Sequence, residues 1–198
     1  GNYNAYVIMP VDQKPALKYL ETIPEKQLYL LDRGSGIFKK KYAGVFQNFK
    51  IDTFNALSQG NELLKKYSGL KIICNDNRDH LRNIISGCEK FCHEKKMRFD
   101  HLYQVHNEEI KKGTAYLVIN DNDLVSLVLK INQKKLLIGK DIGLISYNDT
   151  PLKQITAGGI TTISTDFEMM GKTLGELILQ GEQKAISNPS KLIIRNSL

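Results

Sequence analysis

Four short stretches place planar hydrogen-bonding side chains directly after apolar runs: Asp32-Arg33, Gln47-Asn48, Asn120-Asp121 and Asn148-Asp149. Carboxylates, amides and guanidinium groups each hold two neighbouring hydroxyls at once, because each offers two coplanar donors or acceptors. A sugar, whose hydroxyls are its only handles, is the ligand such groups suit. The last pair lies in Tyr147-Asn148-Asp149-Thr150-Pro151, just after the uncharged run Ile142–Ser146. Open α/β sheets bind ligands beyond the carboxyl ends of their strands, so this loop is a candidate site. Asn-Asp-Thr-Pro is also good turn chemistry, and an ordinary Asx turn remains the alternative.

Other constellations carry less. Cys88 and Cys92, with His93 beside them, share a helical stripe with Leu81, Ile84, Ile85 and Phe91, and no second ligand pair is near. Core packing without a metal is the expectation. Gly34-Ser35-Gly36 follows a strand but opens no helix pattern, so it is not a phosphate loop. His80, His93, His101 and His106 lack a serine elbow or a carboxylate arrangement. An α/β enzyme would need an activated nucleophile, base or metal at the strand ends, and none is visible. Neither catalysis nor a cofactor is expected.

The elements that must carry these groups follow from hydrophobic period. Strands are expected at Tyr6–Met9, Gln27–Leu31, Tyr42–Phe46, Leu70–Cys74, Phe99–Val105, Ala115–Ile119, Ile142–Ser146 and Leu192–Ile194. Helices are expected over Pro15–Leu20, Asp52–Tyr67 with Asp52 as cap, Arg78–Lys95, Asn107–Lys112, Leu124–Asn132 and Asp166 to about Gln180. Thr165-Asp166-Phe167-Glu168 fits a capping box. Strands alternating with helices predict a parallel α/β sheet. With 198 residues, one domain or two small lobes both fit.

No apolar run reaches a membrane span. Three cysteines without framework spacing, and no signal peptide, point to a cytoplasmic location. The net charge of +7 is spread over lysine doublets such as Lys65-Lys66 and Lys134-Lys135, which read as solvated helix ends rather than a nucleic-acid patch.

The stretch GKDIGLISYNDTP, followed by GITTISTDFEMMG, resembles the effector domain of Lac-repressor-type regulators and sugar-binding proteins, the type I periplasmic-binding-protein fold. Lys140 stands where that pattern has Pro, Ser146 where it has Gly, and Asn148 where it has the first Asp. The resemblance covers nearly the whole chain. It implies a two-lobed α/β parallel-sheet fold, with residues 1–68 and 160–187 in the first lobe and 69–159 and 188–198 in the second. It also implies a first lobe truncated at its N-terminus, which would leave Tyr6–Met9 as an exposed edge strand.

The resemblance implies a monosaccharide bound in the interlobe cleft by Asp32, Arg33, Asn48, Asn120, Asp121, Tyr147, Asn148, Asp149 and Thr165. LLDRGSG is similar to the LIDR segment of ribose-binding relatives. Relatives carry an Arg where Ile84 stands, and Gln or Asn where Thr165 stands; with Asn148 for Asp, these departures point to a less polar ligand such as a deoxyhexose or pentose. Tyr147, Phe46 and Phe49 are stacking candidates, or simply core. The blocks KKYAGVFQNF and NPSKLIIRNSL extend the resemblance to GntR-family regulators that join a winged helix to a Lac-type domain, some responsive to fucose or arabinose. The implied function is sugar sensing by a homodimeric transcriptional regulator, with DNA bound by a winged-helix domain outside these residues. A transport-type sugar-binding protein with no DNA role is the alternative.

Overall fold

The structure, a computed structural model, describes residues 3–10, 18–33, 42–76 and 78–198. The expected helix at Pro15–Leu20 and the Gly34–Gly36 segment lie partly or wholly outside them. The chain forms two compact units, residues 1–48 with 165–189, and residues 49–164 with 190–198.

The first unit holds a four-stranded sheet of β1 (Tyr6–Ile8), β2 (Leu28–Asp32), β3 (Ala43–Phe46) and β9 (Ala185–Ser187), in that order and parallel throughout. Tyr29, Ala43 and Val45 pack under Met170, Leu174 and Leu177 of α6 (Phe167–Gln180). Gly44 has a φ of +153°, and a Cβ there would lie 1.9 Å from the Leu30 carbonyl oxygen, so only glycine lets β2 and β3 approach this closely. β1 is the edge among the described strands, with Val7 and Met9 about half exposed. β9 had no clear sequence signal: it is three residues long and exposed at both ends.

The second unit holds six strands in the order β10 (Ser190–Ile193), β8 (Thr161–Thr165), β7 (Ile142–Tyr147), β6 (Thr114–Val118), β4 (Gly69–Ile73), β5 (Arg98–Leu102). β6 and β7 are buried at every residue. Their side chains alternate between two cores: Ala115, Leu117, Ile145 and Tyr147 face one, Tyr116, Val118, Ile142 and Leu144 the other. A strand covered on both faces must be apolar at both phases of its period, which is why these runs lack charge. The first core includes α3 (Asp79–Lys95), whose stripe Leu81, Ile84, Cys88, Phe91 and Cys92 is buried.

Several boundaries differ from expectation. α1 (Phe49–Gln59) and α2 (Asn61–Leu64) replace one helix over 52–67; Asp52 is a buried residue within α1 and not its cap. α1 packs on α3, where a Cβ on Gly87 would sit 2.6 Å from the Lys50 carbonyl oxygen, so residues 49–68 belong with the second unit. Residues 160–164 join it too, because β8 pairs with β7. Residues 107–112 form turns rather than a helix: Lys130 of α4 (Asp121–Gln133) donates to the carbonyls of Val105 and Glu108, and Glu108 accepts from Lys71 and Tyr116. The cap of α6 is Asp166, which accepts from the Met169 amide at 2.8 Å, one residue later than the predicted box.

Candidate functional site

The second unit has a cavity of about 650 Å³ at the carboxyl ends of its central strands, lined by Asn75, Asn120, Asp121, Asp123, Asn148 and Lys153 among others. Asn148 follows β7 with a left-handed φ of 60°, a conformation Asn tolerates better than most residues. Its amide donates to the Ile163 carbonyl at 2.8 Å, holding the turn to β8. Its side chain is exposed to the cavity and makes no hydrogen bond within the described residues. An amide with both donor and acceptor open is the group that meets a hydroxyl pair.

Asn120 shares that cavity but caps α4. Its Oδ1 accepts from the Asp123 amide at 2.8 Å, and its Nδ2 donates to the Asp123 carboxylate. An N-cap satisfies a helix amide that has no intrahelical partner, so this Asn is partly spent on the fold. Asp121 opens α4 and pairs with Lys153 at 2.9 Å.

The other expected residues fare differently. Asp149 does not line the cavity: its carboxylate takes two hydrogen bonds from Arg195, both at 2.8 Å, and a third from Thr162 at 3.0 Å. The Arg195 hydrogen bonds hold its pKa below the ordinary carboxylate value. Tyr147 also lines the cavity, but it is 4% exposed and packs in the core, where burial pushes its phenol up. Thr165 is buried and exchanges hydrogen bonds with Asn188, accepting from its Nδ2 at 2.6 Å. At the start of α3, Arg78 and Arg82 pair with Asp76 and Asp79. Phe49 is buried against His80.

In the first unit, Asp32 ends β2 in a left-handed conformation, φ 69°. Its carboxylate accepts a short hydrogen bond from the buried Gln47 and lies 3.4 Å from Arg33 Nε. Arg33 Nε and Nη1 are buried without a hydrogen-bond partner among the described residues. Asn48 is exposed and lines a separate hollow of about 190 Å³ with Phe46, Gln47 and Ser187.

Sequence reasoning missed Gln47 as the partner of Asp32, and Asn75 and Lys153 as cavity residues. Thr150, capping the helix that begins at Pro151, was the available signal, since it directs Lys153 back at the strand end. Among the described residues no group of His, Cys, Asp and Glu is arranged to hold a metal. Burial pushes Cys92 up to about 12 and Cys88 well above its ordinary value, which keeps both as packing thiols.

These features define a class: a parallel α/β domain of two units, with open hydrogen-bonding groups gathered at strand ends. The family model for the periplasmic binding protein-like domain matches residues 72–198, and the chain belongs to that family. Among curated proteins, the lactose operon repressor of Escherichia coli K12 is 34% identical over 85 residues, 43% of this chain and 23% of the repressor. The HTH-type transcriptional regulator KdgR of Bacillus subtilis is 29% identical over 103 residues, 49% of this chain and 30% of KdgR. The matches thus span less than a third of either relative's length. Among solved structures, the Lac repressor bound to ONPG in its repressed state superposes with a TM-score of 0.77 at 18% identity, over 100% of this chain and 65% of the repressor. A LacI family regulator of Enterococcus faecium with bound ribose gives 0.73 at 13% identity, over 98% of this chain and 79% of its own. These likenesses establish the two-lobed parallel fold. No helix among the described residues is long and apolar enough to cross a membrane.

Proposed function

We propose that this chain is the effector-binding domain of a cytoplasmic transcriptional regulator, that its ligand is a monosaccharide, and that ligand binding alters the DNA affinity of a homodimer. The observation that carries the reading is the open amide of Asn148 on the wall of a polar cavity with Asn75, Asp121 and Asp123. Hydroxyls of a sugar match that mixture of donors and acceptors. The ion-paired guanidinium and carboxylate of Arg33 and Asp32 at the end of β2 support the same ligand chemistry in the first unit. Sugar and operator affinities would then be linked reciprocally, through whichever conformation the sugar favours.

A deoxyhexose or pentose, with fucose or arabinose as the leading examples, and a GntR-type winged-helix head form the finer part of the proposal. The substitution of Asn148 for a carboxylate supports the less polar sugar. The homodimer is supported by exposed apolar side chains: Val125 and Leu129 on α4, with Leu152 and Ile155 on α5 (Pro151–Ile155), are each more than half exposed. A thermal-shift screen with L-fucose, L-arabinose and D-ribose tests the ligand class. A saturable rise in Tm with at least one sugar, lost in Asn148→Ala, is expected. A flat response to all three would refute it.

A further inference from the structure

Lys153 is 3% exposed, although lysine is rarely buried unless its charge is matched. Its ammonium donates to the Tyr147 carbonyl at 2.8 Å and the Asn148 carbonyl at 2.9 Å, and pairs with Asp121 at 2.9 Å. An ammonium has three N–H donors, so all are used and none remains for a ligand. The first two acceptors belong to the end of β7 and its turn; the third belongs to the first residue of α4.

We propose that Lys153 is the positioning residue of the second unit's cavity, an ammonium clamp that fixes the Asn148 turn against the N-terminus of α4 and so sets the spacing of the Asn148 and Asn120 amides. What the cavity binds rests on the sugar reading above; the clamp itself does not.

The geometry makes this specific. In an extended strand, successive carbonyls point to opposite sides, so one cation cannot take both. The left-handed backbone at Asn148 swings its carbonyl toward that of Tyr147, and Lys153 binds the pair. The clamp therefore favours the very conformation that presents the Asn148 side chain to the cavity. The short helix aims it: Thr150 caps α5, Pro151 opens it, and Lys153 follows on its first turn. Helical side chains lean toward the helix N-terminus, which here is the strand end. The Asp121 arm then reaches the other cavity wall, where Asn120 is held by Asp123.

Amide hydrogen exchange on the whole chain tests the clamp. Lys153→Met keeps the aliphatic stem and removes all three donors. Exchange at residues 119–123 and 148–150 should accelerate together by about 10-fold or more, with β4 and β6 changed by less than about two-fold. Acceleration in one loop only, in neither, or uniformly through the unit would overturn the proposal. If K153M does not fold, Asp121→Asn removes only the charged arm at an exposed site. It should accelerate both loops to a smaller extent, and silence in either loop would overturn the clamp. Calorimetry with L-fucose supplies the functional arm: K153M should bind about 10-fold more weakly than wild type. Equal affinity with both loops loosened would remove Lys153 from the site. A wild-type chain that binds neither L-fucose nor D-ribose would count against the sugar reading, and the exchange result would still decide the clamp.

Discussion

Asp149 looked like a ligand residue in the sequence and is a strut in the structure, and Asp149→Asn separates the two roles. The carboxylate accepts two bonds from Arg195 at 2.8 Å and one from Thr162 at 3.0 Å, and each partner of the ion pair is 18% exposed. An exposed pair contributes about 0–1 kcal/mol, and breaking a fully buried one costs about 3–5 kcal/mol. A bidentate pair about four-fifths enclosed falls between, so D149N should lose about 2 kcal/mol at pH 7. Urea unfolding followed by circular dichroism should show this as a lower midpoint with an unchanged slope. The pH dependence adds a second check. Arg195 holds the folded carboxyl below its ordinary pKa, so its stabilisation is complete above the unfolded value of about 3.9 and is lost as pH falls through the folded value. The gap between wild type and D149N should therefore be full from about pH 5 upward and close in more acidic buffer. A gap below about 0.5 kcal/mol at pH 7, or one that does not shrink in acid, would refute the strut. Sugar affinity should be unchanged, because Asp149 does not line the cavity.

Asn148→Ala should weaken sugar binding by about 1–3 kcal/mol in calorimetry, and unchanged affinity would remove it from the site; the left-handed backbone at this position should also cost the alanine variant about 1 kcal/mol of stability. Gly44→Ala places a Cβ 1.9 Å from the Leu30 oxygen and should destabilise the first unit by at least about 2 kcal/mol, seen as lower thermal stability; a wild-type melting curve would contradict that packing. Val125→Asp puts a charge one turn from Leu129 on the exposed apolar face of α4 and should give a monomer by light scattering; a persistent dimer would place the interface elsewhere. Cys88 and Cys92 should label slowly with a thiol reagent at pH 8, and rapid labelling of the folded chain would mean they are not the buried thiols described.

The central strands were legible because burial on both faces leaves one solution, an uncharged β-branched and aliphatic run, as in Ala115–Ile119 and Ile142–Ser146. The helical stripe of α3 was legible for a related reason: one face buried at a 3.6-residue period leaves a mark that spacing alone reveals. The strand ends were therefore placed correctly, and with them the stretches where polar groups could gather. What each polar group does there was not written in its position. Asn148 and Asp149 are neighbours of similar shape in the same loop, yet one is open to the cavity and the other is held by Arg195, forty-six residues away in sequence. Thr165 was taken up by Asn188, and Asn120 by the start of α4, because a buried polar atom binds whatever partner the fold brings near. Lys153 shows the limit most clearly: in the sequence it is one of many lysines, and only when β7 and α4 are laid side by side do two carbonyls and a carboxylate converge on its ammonium. Periodic burial is a local property and survives in the one-dimensional record; the partner of a polar group is a long-range property, decided only when the chain closes on itself.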